Sequence, residues 1–404
     1  MKIAVVGLGV AGVNAARVIA AGRPGTAIDI YGAEPYLYYA RPKLPAFLAG
    51  KVEQSELYFY PPEWYQERGI SVHTSARVER IEAAAHRLVL AEGTTVSYDR
   101  ALLAMGARSS IPPLEGVDLL GVFSLWTIED ALRIRSYAKG CRWAVVIGGG
   151  PLGLEAAWGL RVLGLDVTVL QLPPRLMPRQ LDDEGAAVLK GWIEKLGIAV
   201  QVGATTERIE GSGKVQAVLI REGQRFPADL VLIAAGARSN IQVAQASGLA
   251  VNKGIVVDSH LRTSAADVYA AGDVAEHAGT IYGIIPAAIE QAQVAAQNMA
   301  EIEASEYKGT VPSNTLKIVG LDMTSIGQTS GVGEGYVELR RTEPGGQYIK
   351  LVLKDGRLQG AILLGHKEKV NYISQAVARH LAVGAHGEEL LSDRFDWKAE
   401  LSKA

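Results

Sequence analysis

Two copies of one short pattern constrain this chain more than any other feature: an apolar run meets a glycine-spaced turn and continues into a helix. Residues 3–6 run into Gly7-Leu8-Gly9-Val10-Ala11-Gly12, followed by a helical stretch over 13–21 and a strand over 27–31 that ends near Glu34. The plan returns at 144–147, which meets Gly148-Gly149-Gly150-Pro151-Leu152-Gly153 and leads to a helix over 154–163 and a strand over 166–170 ending at Gln171. The first strand of each copy lacks polar alternation, as expected of a parallel strand covered on both faces. The glycines have separate tasks. Gly7 or Gly148 makes the tight bend, Gly9 or Gly150 lets the backbone approach a pyrophosphate, and Gly12 or Gly153 lets helix and strand pack closely. The helix start then offers N–H groups and partial positive charge to the phosphates. Each copy predicts a dinucleotide-binding unit.

The residue that ends the second strand of such a unit meets the adenosine ribose. Glu34 is placed to accept from the 2′- and 3′-hydroxyls, with a solvated loop acid as the plainer reading. Gln171 holds the matching place and is neutral, so it bonds to hydroxyls without repelling a 2′-phosphate. Arg175 and Arg179 follow just downstream, where they either meet such a phosphate or stand solvated.

With 404 residues the chain is too long for one ordinary core, and 48% hydrophobic with 21% charged residues is a globular composition. A net charge of -2 gives no global reason to expect nucleic acid or an anionic membrane. The single cysteine, Cys141, allows no intrachain disulfide and no thiolate metal cluster, so no metal site is expected, and it fits a reducing, cytoplasmic setting. No stretch reaches the roughly 18 uninterrupted apolar residues that suggest a membrane span. Between the copies, short strands cover 88–90, 95–98 and 100–104, and Pro112-Pro113 marks a crossing between domains. The final segment from 311 has alternating strands over 348–353 and 359–364 and a helical stretch over 370–383.

Five segments carry a family resemblance. They are the first loop with Glu34; the pair Ala104-Met105-Gly106-Ala107-Arg108 and Ala234-Ala235-Gly236-Ala237-Arg238; the second loop with residues 174–179; Thr263 through Gly272-Asp273; and Ser313-Asn314-Thr315-Leu316-Lys317 through Gly320, Asp322 and Gly327. Together they resemble the FAD-dependent pyridine-nucleotide oxidoreductases of the glutathione-reductase superfamily, within them the NADH:rubredoxin reductases and the flavin portion of NADH-dependent nitrite reductases. The resemblance implies an α/β fold with two Rossmann-like three-layer dinucleotide-binding domains, for FAD and NAD, plus a C-terminal α+β domain. It places the FAD domain at 1–112 and 239–310, the NAD(P) domain at 113–238 and an interface domain at 311–404. It implies that Gly7, Gly9, Ala11, Gly12, Glu34, Arg41, Lys43, Ala104, Gly106, Arg108, Gly272, Asp273, Pro286 and Ala287 serve FAD. Gly148, Gly150, Leu152, Gly153, Glu155, Gln171, Arg175, Arg179 and Gly236 would serve the nicotinamide dinucleotide, NADH with NADPH left open.

In that reading Asp273 bonds the ribityl chain, and a helix beginning near Pro286 aims its N-terminus at the flavin pyrimidine edge. Lys43 and Glu155 are the catalytic candidates, a cation near the flavin and an acid beside the nicotinamide. A surface lysine and a first-turn acid that favours the helix dipole are the plainer alternatives. Disulfide reductases of the superfamily carry a cysteine pair where residues 36–50 of this chain have none. Electrons are therefore expected to pass directly from flavin to a small redox protein, rubredoxin first. The alternatives are an oxidase or diaphorase using oxygen, quinone or a small molecule, an electron-feeding subunit of a metalloenzyme complex, and a slow redox sensor. Lys317, Arg340, Arg341, Lys367 and Lys369 are the candidates for a basic rim that steers an acidic carrier.

Overall fold

The computed structural model describes residues 1–318 and 320–403, and of 314–318 the backbone course alone. The chain divides into two compact units: 1–41 with 53–108 and 237–310, and 42–52 with 109–236 and 311–404.

The first unit is built on a five-stranded parallel sheet in the order Val268–Ala270, Arg100–Leu103, Lys2–Val6, Ala27–Tyr31, Ile70–His73. The uniform hydrophobicity of its central strand has a simple cause. Ile3 and Val5 face the helices Val10–Gly22 and Ile285–Met299, while Ala4 and Val6 face a second core that includes Val78, Ile81, Leu88 and Leu90 of a three-stranded antiparallel sheet. The layers are helices, parallel sheet, antiparallel sheet.

The second unit repeats this plan. Its parallel sheet runs Ile198–Val202, Asp166–Gln171, Trp143–Ile147, Leu230–Ile233, Val122–Phe123. Val145 and Ile147 pack toward Ile209, Val215, Val218 and Ile220 of another small antiparallel sheet. Residues 42–52 belong to this unit because Leu44, Phe47 and Leu48 are buried and the helix Leu44–Leu48 packs on the helix Pro151–Val162. Gly159 permits that approach: a side chain there would begin 3.1 Å from the Pro45 carbonyl.

Residues from Ser313 onward add a five-stranded antiparallel sheet, ordered Ser313–Ile318, Leu321–Gly327, Arg357–Leu364, Tyr348–Lys354, Tyr336–Thr342. Along Tyr348–Lys354, Ile349, Leu351 and Leu353 join a core with Ile373, Ala376, Val377 and Trp397, leaving Tyr348, Lys350 and Val352 on the opposite face. That face is also buried, and Tyr348 lies against Gly185 of the helix Asp183–Lys195.

The helical stretch expected over 370–383 is shorter, Val370–Ala378. His380 turns into the left-handed region at φ 46°, and the His380 and Leu381 amides donate back to Val377 and Ala376. This closes the helix as a Schellman turn and frees Ala382 to bridge to Arg357. Both loop helices begin earlier than expected, at Val10 and Pro151, so Gly12 and Gly153 lie inside their first turns.

Candidate functional site

Each glycine loop lies at the carboxyl end of its central strand, where ligands of open α/β sheets bind. Gly7 has φ 117° and Gly148 has φ 119°, and a Cβ there would stand 2.2 Å from the Ala104 carbonyl oxygen or 2.3 Å from that of Ala234. The two similar alanine-glycine segments therefore press on the loops. Gly12 and Gly153 face the loop itself, since a Cβ would meet the Gly7 or Gly148 carbonyl at 2.1 or 2.0 Å. Gly9 and Gly150 differ: a Cβ at either would meet nothing within 4 Å. These are the open positions, where backbone can approach a phosphate.

Helix starts give an independent test of fit. Among the described helices of eleven residues or more, Thr127 and Asp182 cap the starts of Ile128–Ala138 and Asp183–Lys195 with their own side chains. The starts after Gly9, Gly150 and Ile284 have no side-chain cap. Those three are the helices expected to face the two dinucleotides and the flavin. Their first-turn N–H groups remain available to anionic or carbonyl oxygens.

In the first unit, Glu34 is held from two sides. Arg41 Nη2 donates to its Oε1 at 2.6 Å, and Tyr39 Oη donates to its Oε2 at 2.6 Å, while Arg41 Nη1 donates to Tyr39 Oη at 2.9 Å. Gly272, at φ 82°, lies against Ala11, where a Cβ would come 3.0 Å from the alanine methyl. This brings the Gly272-Asp273 turn to the first loop. Burial pushes the Asp273 carboxyl up, and the Arg41 charge opposes that rise. Among the described residues no donor is hydrogen-bonded to that carboxylate. A half-buried acceptor of this kind suits a ligand hydroxyl.

Two residues that sequence reasoning missed hold the turn. Gln291, 1% exposed, accepts from the Gly272 amide at 2.8 Å, and Ser239 Oγ donates to the Asp273 carbonyl at 2.5 Å. A glutamine among the buried positions Ala287, Ala288 and Ala292 was the available signal. Pro286 lies in the first turn of that helix and Ala287 is buried behind it. Asn240 links the neighbouring segment by bonding the Met105 and Gly106 carbonyls, and Arg108 donates to Asn240 Oδ1 at 3.1 Å. The Arg108 guanidinium is thus engaged within the protein.

In the second unit, Gln171 is 6% exposed and turned into its own loop. Its Oε1 accepts from the Gly149 amide at 2.7 Å, and its Nε2 donates to the Arg175 carbonyl at 3.2 Å. Arg175 pairs with Asp183 at 2.9 Å. Arg179 is exposed and Leu152 half-buried, while Gly236, at φ 94°, meets no neighbour where a Cβ would stand. Lys43 is exposed and belongs to this unit, as does Glu155.

Burial raises the Glu155 carboxyl to about 7. A group that the fold prefers neutral lends its full stability below the unfolded value of 4.5 and loses it as pH climbs through about 7. Thermal unfolding midpoints of the wild type should therefore fall, relative to Glu155→Gln, as pH rises across that window. Parallel profiles for the two proteins would show that Glu155 is not held neutral.

The expected basic rim is largely neutralised. Arg340 pairs with Glu338 at 2.5 Å and Glu184 at 3.5 Å, Arg341 with Glu343 at 2.6 Å, and Lys369 is buried on Asp393 at 2.6 Å. Lys367 is exposed, and the Lys317 side chain lies outside the described residues. Glu338 and Glu343 stand two positions from their arginines, whereas Glu184 and Asp393 come from distant segments, so among the described residues Arg340, Arg341 and Lys369 are each paired.

Among the described residues no helix is long and apolar enough to cross a membrane, and no group of three or more His, Cys, Asp or Glu could hold a metal ion.

A family model described as pyridine nucleotide-disulphide oxidoreductase matches residues 1–298, and one described as the rubredoxin NAD+ reductase C-terminal domain matches 312–381. The chain is 34% identical over 365 residues to an assimilatory nitrate reductase electron transfer subunit of Bacillus subtilis, covering 90% of this chain and 47% of that protein. It spans about half the length of the first two curated relatives it matches. It is 31% identical to an NADH oxidase of Methanocaldococcus jannaschii, covering 100% and 96% of the two chains. Among solved structures, the covalent putidaredoxin reductase–putidaredoxin complex matches with a TM-score of 0.88 at 27% identity, covering 100% of this chain and 98% of that one.

Proposed function

Since the chain belongs to the pyridine nucleotide-disulphide oxidoreductase family, we propose that it is an FAD-dependent NAD(P)H oxidoreductase that delivers electrons to a small redox protein without a thiol relay. The family binds FAD and uses NADH or NADPH. The observation that carries the reading is the pair of glycine loops with uncapped helix starts, joined to a segment over 36–50 that has no cysteine.

Residues 1–112 with 239–310, apart from the 42–52 segment that packs with the second unit, are taken as the FAD domain, 113–238 as the NAD(P) domain and 311–404 as the interface domain. The Gly7–Gly12 turn and Glu34 would hold the ADP half of FAD, and Asp273 its ribityl hydroxyls. The start of the helix Ile285–Met299 would favour negative charge on the flavin. The Gly148–Gly153 turn would hold the pyridine nucleotide. FAD supplies the ability to accept electrons as a pair and release them singly, which no side chain here provides. The protein's own contribution is placement and the exclusion of water. Cys141 fits no relay: burial pushes its thiol up, and its sulfur donates to the Tyr137 carbonyl at 3.4 Å. A cytoplasmic location fits a consumer of NAD(P)H.

The rubredoxin-reductase match over 312–381 and the carrier complex among similar structures support a protein acceptor. The full-length likeness to an NADH oxidase supports oxygen as the second reading. Anaerobic reduction with NADH, followed by rubredoxin, ferredoxin, quinone and oxygen in parallel, decides between them. We expect fast reoxidation by an iron–sulfur or rubredoxin-type carrier, unaffected by thiol alkylation or by Cys141→Ser. Idle carriers beside fast oxygen consumption would select the oxidase reading, and loss of turnover on alkylation would overturn the thiol-free route.

A further inference from the structure

In the second unit the strand-end position matching Glu34 is Gln171, and both ends of its amide are engaged by the loop backbone. Building on the reading of this unit as the NAD(P)H site, we propose that discrimination against the 2′-phosphate of NADPH is exercised by Asp183, acting through Arg175.

Arg175 is fixed at the strand end, because its carbonyl accepts from Gln171 at 3.2 Å. Its side chain is directed away from solvent on one side. Nη1 meets Asp183 Oδ1 at 2.9 Å, Nη2 meets the Pro178 carbonyl at 3.4 Å, and Nε is buried without an acceptor. The guanidinium is therefore a phosphate-binding fork already occupied by a carboxylate.

The neighbouring acids do not share this position. Asp182 caps its helix and is neutralised by Lys350 at 3.1 Å, and Glu184 faces Arg340 at 3.5 Å. Asp183 has an 87% exposed side chain and no other ion-pair partner among the described residues. A 2′-phosphate brings about 1.5–2 negative charges. To take Arg175 it must displace Asp183 and then remain beside a freed carboxylate. A bare 2′-hydroxyl needs neither step. The charge that an acid at position 171 would supply is supplied from the next helix.

The test compares 2′,5′-ADP with 5′-AMP, two adenosine ligands that differ by the 2′-phosphate. In Asp183→Asn, the affinity for 2′,5′-ADP relative to 5′-AMP should rise about twofold to fivefold, and the NADPH/NADH ratio of kcat/KM should rise with it. Asp183→Glu should stay near wild type, because it keeps the charge. In Arg175→Ala/Asp183→Asn the gain should vanish. An unchanged ligand ratio in Asp183→Asn, or a Glu variant that shifts as far as the Asn variant, overturns the proposal. A wild type that binds neither ligand and is reduced by neither nucleotide removes the site itself, which is a different failure.

Discussion

Lys350→Met is expected to lower the stability of the second unit by about 3–5 kcal/mol, the usual cost of deleting one partner of a buried ion pair. Lys350 is 2% exposed, and its ammonium lies 3.1 Å from Asp182 Oδ2 and 3.0 Å from Glu338 Oε1. Tyr348, fully buried, donates to the same Asp182 oxygen at 2.7 Å. Burial alone would raise the Asp182 carboxyl, but the Tyr348 hydroxyl, the Gly185 amide and Lys350 hold it below its usual range. Burial likewise opposes, and the Gly331 amide and Lys350 outweigh, in keeping Glu338 low. Both carboxylates therefore lend stability above their unfolded values that is lost as pH falls through the depressed ones. Removing the ammonium leaves two half-buried negative charges facing each other across an apolar side chain. Urea melts at neutral pH should show the loss, and Lys350→Met/Asp182→Asn should recover part of it. A Lys350→Met protein as stable as wild type would mean that water reaches this cluster freely.

Asp273→Ala should weaken FAD retention by roughly 1.5–3 kcal/mol, or about tenfold to 150-fold, the range for a hydrogen bond to a charged acceptor. The half-buried carboxylate, which no described protein group bonds, would take a ribityl hydroxyl. Asp273→Asn keeps one acceptor and should lose less. Equilibrium dialysis against FAD gives the dissociation constants directly, and circular dichroism guards against a folding defect. If the alanine variant holds flavin as tightly as the wild type, Asp273 plays no part in binding it.

Much of this was legible in the sequence because it is local. The glycine spacing at 7–12 and 148–153, the doubly buried strands and the alternation over 348–353 each depend on residues a few positions apart. What escaped depends on residues far apart in the chain. Nothing local in Tyr348–Lys354 says that Lys350 will meet Asp182, 168 positions earlier. Nor does the sequence around Leu44 say that residues 42–52 pack with the second unit. The side-chain direction of Gln171 was hidden for another reason: an amide can satisfy a ribose or its own loop equally well, and chain geometry alone chooses. The helix end at Ala378 was missed because His380 adopts a left-handed turn that most often falls to glycine.

The three uncapped helix starts have a consequence for the protein's life in a cell. A fold that leaves these donors to small molecules makes its own persistence depend on supply. At a flavin concentration a hundred times its dissociation constant, binding would add about 2.7 kcal/mol to the folded state. When flavin supply falls, that increment shrinks, and the population open to proteases grows several-fold for each kilocalorie lost. Abundance of the polypeptide would then track the free flavin pool before catalysis is measured at all, so that degradation rate itself reports how much coenzyme is at hand.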